Sequence, residues 1–164
     1  MVIPYKKSCF DNAVEEVRLR KPHMFTKVGE SEKRDAGQIR GIIVEQHVSD
    51  YLQLKYPNNY QNPDNYHIWH QPCNHDFKLA INGRTIKVDV SGPKADVTYG
   101  AYAMKPSGCD YHIIVKVIGM QSWNNIDYNQ GFEILGVVSG ANYVVNLNIT
   151  TLEPFDVWIK RIGL

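Results

Sequence analysis

The sequence predicts a mixed α/β domain in which helices come first and a β-sheet occupies the middle of the chain. Apolar residues recur at helical spacing in the first third of the chain, and after residue 75 the spacing changes to two. Asn82-Gly83 stands between two alternating runs, which is the strongest short-range signal of a β-hairpin. A chain of 164 residues fits a single domain.

The composition is that of an ordinary globular protein. Hydrophobic residues make up 43% of the chain and charged residues 21%, which argues against a disordered chain. No apolar run is long enough to span a bilayer, and the first residues lack the order of a signal peptide. Three scattered cysteines are too few for a disulfide framework. We therefore expect a cytoplasmic protein with no membrane partner.

Residues 1–37 are predicted to form a basic helical extension. Nine Lys and Arg residues against six Asp and Glu residues lie before residue 42, so this quarter of the chain is where a polyanion is expected to bind. Ser8 is placed to cap a short helix, and Pro22 closes it. Residues 26–37 are polar and mixed in charge, which is typical of an exposed connection. The apolar face of the helix carries Phe10, Val14 and Val17.

The predicted core, residues 38–140, opens with the clearest helix. Asp35 and Gln38 resemble a capping box, and Pro57 marks the end of the helix. Glu45 falls inside the apolar stripe, where a carboxylate is costly unless it is paired or bound to a metal. The Glu45 carboxylate either lies at the edge of the stripe, where it reaches water or pairs with an arginine, or it points over the sheet. The stripe consists of Ile39, Ile42, Ile43, Val44, Val48, Tyr51 and Leu52.

The remaining elements follow from turn residues and apolar runs. Pro, Asn and Tyr dominate residues 57–66, which predicts a loop, and residues 92–109 are expected to hold a loop or a short helix. Residues 141–164 are predicted to add a strand and a closing helix or strand, with Trp158 available for an interface. Strands outside the hairpin are expected at 111–118, 132–138 and 143–149.

The two-residue turn sets the register of the hairpin. It places Asp76 directly opposite Asp89, with Cβ atoms about 4.5–5.5 Å apart. Like charges in this position destabilise a sheet, and a divalent cation between them would remove that cost. The alternative is a solvated face on which Lys87 and Lys78 are diagonal partners of the two aspartates.

A helix bearing a glutamate, followed by a hairpin with an aspartate on its first strand and an acidic residue on its second, resembles the PD-(D/E)XK nuclease superfamily. This resemblance spans about residues 38–140, which is most of the chain, and implies the restriction-endonuclease-like fold, with a mixed central β-sheet flanked by helices. The matching segments are GIIVEQHVSDYL (41–52), HDFKLAINGRTIKVDVSGPK (75–94), DYHIIVKVIG (110–119) and, more loosely, GFEILGVVSG (131–140).

The resemblance implies a DNA endonuclease that uses Mg²⁺, with Mn²⁺ as a substitute, to hydrolyse phosphodiester bonds. Asp76 corresponds to the central metal ligand, and Asp89 to the acidic residue of the (D/E)XK triplet. Glu45 corresponds to the helix glutamate that supports the metal site. The carbonyl group of Val90 would be a backbone ligand.

The chain departs from the family pattern in two places. His75 stands where the motif has proline, and Ser91 stands where the triplet has lysine. Ser91 can hydrogen-bond an attacking water but supplies no positive charge. Lys94 is the first candidate to replace the lysine because it stays near the end of the strand, and Lys87 and Lys105 are further candidates. The alternative is a catalytically weakened or inactive module that binds DNA or protein.

Phosphate contacts would supply most of the affinity of such an enzyme for DNA. Each candidate cation is equally consistent with ordinary solvated surface charge. One chain offers one active site, so cleavage of both strands requires a homodimer or a homotetramer. The candidates are Lys6, Lys7, Arg18, Arg20, Lys21, Lys27, Lys33, Arg34 and Arg40.

A second group of metal-binding residue types precedes Asp76. His67, His70, Cys73 and His75 are all residue types that bind zinc, although their spacing matches no common zinc finger. The group is either a structural zinc site in a small binding protein or a polar loop beside the active site. His47, two residues after Glu45 on the helix, is expected at the surface.

Overall fold

The computed structural model describes residues 2–20, 31–63, 75–91, 108–122, 125–140 and 152–164. No helix within these ranges is long and apolar enough to cross a membrane. The helices are α1 (Lys7–Arg20), α2 (Ser31–Lys55) and α3 (Phe155–Ile162). The strands are β1 (Val2–Pro4), β2 (Tyr60–Gln61), β3 (Phe77–Ile81), β4 (Arg84–Ser91), β5 (Tyr111–Val117), β6 (Met120–Ser122), β7 (Asn125–Ile126) and β8 (Gly131–Ser139).

Six strands form one mixed sheet in the order β1-β8-β5-β4-β3-β2. β4 and β5 are parallel, whereas the other neighbouring strands are antiparallel. β6 and β7 form a separate pair. The predicted mixed α/β architecture is therefore confirmed.

The core lies where the apolar stripe of α2 meets the apolar face of the hairpin. Phe77, Leu79 and Val88 are fully buried on the sheet, and Val48 and Leu52 are fully buried on α2. Burial alternates along β3, as the period of two predicts. α3 closes the core.

Trp158 is the residue with which α3 fills the core. Its side chain is fully buried, with its ring packed against Phe155 and Tyr111. The prediction that Trp158 contributes to an interface is wrong, because its indole ring is fully buried by packing within the chain.

Three elements differ from the predictions. α2 begins at Ser31, inside the segment predicted as an exposed connection, because its first turns are rich in helix-forming Glu, Lys, Arg and Ala. β2 lies in the predicted loop, where Tyr60 pairs with Leu79 and the side-chain amide of Asn59 donates to Ala80 O at 2.8 Å. β1, from the predicted extension, pairs with β8 in the main sheet. The strand expected at 143–149 lies outside the described residues.

His47 is buried, not at the surface as expected. Its side chain is 1% exposed, with its ring edge-on to Tyr5 and Phe132. Nδ1 donates to Ile43 O at 2.6 Å, and Nε2 accepts the backbone N–H of Lys6 at 2.6 Å. These two bonds require the neutral ring. Burial, assisted by the Lys6 charge, lowers the pKa of His47 although Ile43 and Asp50 oppose the shift.

The burial of neutral His47 predicts a loss of stability in mild acid. Because the folded-state pKa lies below the ordinary value of about 6.5, the stabilisation is complete above that value and is lost as the pH falls through the folded-state pKa. Urea unfolding at pH 7 and pH 5 should show a larger fall in the free energy of unfolding for the wild type than for His47→Gln. Equal falls in the two proteins would contradict this role.

Two glycines make a matched pair for testing how β1 joins the sheet. A Cβ atom on Gly131 would overlap the carbonyl oxygen of Ile3, whereas a Cβ atom on Gly41, in α2, meets nothing within 4 Å. Gly131→Ala should therefore lower the free energy of unfolding by about 1–3 kcal/mol. Gly41→Ala should raise it by about 0.5–1 kcal/mol because alanine favours the helix. Thermal and urea denaturation measure both changes, and a neutral Gly131→Ala would refute the close approach.

Candidate functional site

The hairpin forms in the predicted register. Phe77 pairs with Val88, and the ladder continues regularly to the turn. Asn82 and Gly83 have φ values of 49° and 77°, both in the left-handed region. Such a turn matches the twist of the two strands and fixes which side chains share a face.

Regular pairing stops at Asp76, one residue before β3. The backbone N–H of Asp76 donates to Val88 O at 2.9 Å, and the carboxylate oxygen Oδ2 accepts the backbone N–H of Val90 at 2.7 Å. The side chain of Asp76 thus takes the place of a backbone partner at the end of the ladder. Asp76 is therefore not the regular cross-strand partner of Asp89 that the turn predicted, although the two carboxyl groups still meet.

At this end of the hairpin, Asp76 interacts with both Asp89 and Glu45. The pKa of Asp76 is raised well above its usual range, first by burial and then by the negative charges of Glu45 and Asp89. A hydrogen bond with Asp89 raises the pKa further, and the N–H of Val90 partly opposes the shift. The sheet therefore holds one carboxyl group that favours a proton or a nearby cation over a bare negative charge.

Asp89 is held from two directions. Its Oδ2 atom accepts a hydrogen bond from the Ser91 hydroxyl at 3.2 Å, and it lies 3.0 Å from Nδ1 of His112. His112 comes from β5, which pairs with β4 in a parallel register that sets His112 beside Asp89. The sequence reasoning missed His112, because that register depends on a long crossover between the two strands and no local pattern reports it.

His112 is buried next to Asp89. Its side chain is 2% exposed, and its Nε2 atom lies 3.3 Å from Sγ of Cys109. Burial lowers the pKa of His112, but the contacts with Asp89 and Cys109 outweigh burial and raise the pKa to about 9. Both ring N–H groups can then donate, one to Asp89 and one to the sulfur, while the thiol donates to Tyr111 O at 3.2 Å.

Cys109, His112 and Asp89 have the same order of groups as a catalytic triad, in which a thiol nucleophile is paired with an imidazole base that a carboxylate orients. Cys109 is only 5% exposed, and its S–H is directed to a backbone carbonyl. We therefore interpret Cys109 as a support for His112.

Several predicted residues lie outside the described part of the chain. Among these are the lysine candidates Lys94 and Lys105, and His67, His70 and Cys73 of the possible zinc group. Their neighbour His75 is buried at 3% exposure, directly before Asp76. Lys87 lies on β4 directly opposite Lys78 of β3.

The described cations of the N-terminal quarter are engaged in ion pairs. The pairs are exposed, so they contribute little to stability and can open when a phosphate approaches. The side chains of the other candidates, from Arg20 to Arg40, lie outside the described residues. The ion pairs are Lys6–Asp50 at 3.0 Å, Lys7–Asp11 at 2.9 Å and Arg18–Glu15 at 2.6 Å.

Within the described ranges, no three His, Cys, Asp or Glu side chains are grouped so that they could hold a metal ion together. Mg²⁺, however, binds through one or two carboxylates and keeps several of its waters. Asp76 and Asp89 provide that minimum, and their mutual repulsion is the kind that a cation relieves.

Comparisons with protein-family models, with curated proteins and with solved structures find no match to this chain.

The raised pKa of Asp76 predicts that its charge destabilises the metal-free protein. Asp76→Asn keeps an oxygen for the Val90 N–H and removes the repulsion from Glu45 and Asp89. At pH 7 it should raise the free energy of unfolding by about 1 kcal/mol. Urea denaturation in EDTA measures the change, with the exposed Asp11→Asn as a control that should not gain stability. A lower stability of Asp76→Asn would contradict the repulsion.

Proposed function

We propose that this chain is a Mg²⁺-dependent DNA endonuclease of the PD-(D/E)XK superfamily that hydrolyses phosphodiester bonds. The observation that carries the proposal is the placement of Asp76 at the end of the hairpin, where burial and the charges of Glu45 and Asp89 raise its pKa. Carboxylates brought together at such a cost are typical of sites for hard cations.

The order and direction of the elements support a restriction-endonuclease-like core. α2 carries the glutamate, and the antiparallel pair β3–β4 follows, with Asp76 directly before β3 and Asp89 on β4. β5 then returns parallel to β4, and the sheet is mixed. The order of a glutamate-bearing helix, an acidic hairpin and a mixed sheet is the one on which the resemblance rests.

Each residue of the proposed site has a distinct part in binding the cation. The N–H of Val90 holds one oxygen of Asp76 and so orients the carboxylate. Asp76, Asp89 and the carbonyl of Val90 would hold the metal, and Glu45 would support them from α2. When bound, Mg²⁺ lowers the pKa of a water and offsets the charge that builds up on the phosphate.

Because Ser91 stands where the family motif has lysine, another residue would have to supply the positive charge near the attacking water. Lys94 is our first choice because it follows β4 by three residues. Ser91 donates to Asp89 at 3.2 Å, which suits it to orienting a carboxylate more than to stabilising negative charge.

DNA would be bound mainly through its phosphates. The exposed cations of the N-terminal quarter can exchange their carboxylate partners for phosphate oxygens. A homodimer or homotetramer would bring together the two sites that cleavage of both strands requires. The substrate would be DNA, and the enzyme would be of the restriction, homing or junction-resolving type.

A second candidate function is a non-catalytic module that binds DNA or protein. The observation in its favour is the imidazole of His112, whose raised pKa provides a positive charge at Asp89 where an enzyme would place metal and lysine. In this case the carboxyl groups are satisfied within the chain and need no cation.

Cleavage of supercoiled and linear DNA separates the two functions. With Mg²⁺ or Mn²⁺ the wild type should cut, and Asp76→Asn and Asp89→Asn should reduce the rate to background. Asp156→Asn, which changes an exposed aspartate on α3, should leave the rate unchanged and serves as the control. Binding without cleavage by the wild type with either metal would establish the non-catalytic module.

A further inference from the structure

Three side chains in contact lead from Cys109, just before β5, through the buried ring of His112 to the half-buried Asp89 of the proposed metal site. Sγ of Cys109 lies 3.3 Å from Nε2 of His112, and Nδ1 of His112 lies 3.0 Å from Oδ2 of Asp89. We propose that His112, held by Cys109, is a positioning residue that orients Asp89 and thereby sets the affinity of the site for a divalent cation. This inference rests on the proposed function and adds to it a residue outside the family motif.

His112 is a buried polar residue next to an apolar stretch of β5. The next three residues of β5 (Ile113, Ile114 and Val115) are apolar and at most 1% exposed. A polar ring in such a strand costs free energy unless its nitrogens are satisfied. Both nitrogens have partners, and one of those partners is a carboxylate on the neighbouring strand.

The bonds to Asp89 fix its orientation. Ser91 and His112 both contact the same oxygen, Oδ2, so the carboxylate cannot rotate without losing two partners. Its direction toward Asp76 is thereby set before a cation arrives. Preorganised ligands of this kind bind more tightly because the cation does not have to order them.

Cys109, the member of this series farthest from Asp89, is held by close backbone packing. Gly140 follows β8, and a Cβ atom at this position would overlap the carbonyl oxygen of Cys109. The N–H of Gly140 donates to Asp110 O at 2.7 Å. Close backbone packing therefore holds Cys109 in place, and Cys109 in turn fixes the ring of His112.

Two isomeric replacements test the inference. The amide of His112→Asn reaches the place of Nδ1 and can bond to Asp89, whereas the amide of His112→Gln reaches the place of Nε2 and can bond only to Cys109. Mn²⁺ binding to the full chain without DNA, measured by calorimetry and electron paramagnetic resonance, should be weakened about 10–100-fold in His112→Gln. His112→Asn should stay near the wild-type affinity.

The controls separate positioning from stability. His47→Gln changes a different buried histidine, whose two nitrogens bond to backbone groups, and it should leave Mn²⁺ affinity unchanged. Cys109→Ala keeps the bond between His112 and Asp89 and should weaken binding less than His112→Gln. Equal affinities of His112→Asn and His112→Gln would overturn the positioning role, even with wild-type binding intact. Absence of Mn²⁺ binding by the wild type would overturn this inference together with the proposed function.

Discussion

The rest of the site depends on one constraint, the burial of the Asp76 carboxyl group beside two other acids. Burial and the charges of Glu45 and Asp89 all oppose its ionisation. The protein can meet this cost with a proton, a backbone N–H or a cation, and the N–H of Val90 is already in place. The hairpin and α2 are the elements that bring the acids together.

The sheet gives Asp89 a different environment from Asp76, although the two lie side by side. Asp76 has a backbone N–H and two like charges as neighbours, whereas Asp89 has the Ser91 hydroxyl and the imidazole of His112. Two carboxyl groups with such different surroundings divide the work of a site, because one favours a proton or metal and the other is held in a fixed orientation. In the proposed enzyme an external cation would be a further partner of Asp89, whereas in the binding module Asp89 would be satisfied by contacts within the chain.

Local patterns predicted the elements whose cause is local. The turn at Asn82-Gly83, the alternation along β3 and the long helix around Glu45 each arise from neighbouring residues, and each is present. β2 and the first turns of α2 were missed, because short polar segments carry no periodic signal. The burial of His47 was not predicted for a related reason. Its buried ring is satisfied by the backbone N–H of Lys6, which is distant along the chain.

The sequence by itself determined the mixed α/β class, the hairpin and the three acids that a hard-cation site would use. Turn chemistry and side-chain period are properties of short stretches of chain, so they can be recognised without the fold. Only the tertiary structure decided that Asp76 leaves the regular ladder, and that His112 and Cys109 stand behind Asp89. Those contacts depend on the parallel pairing of β4 with β5, which is set by packing across the whole sheet.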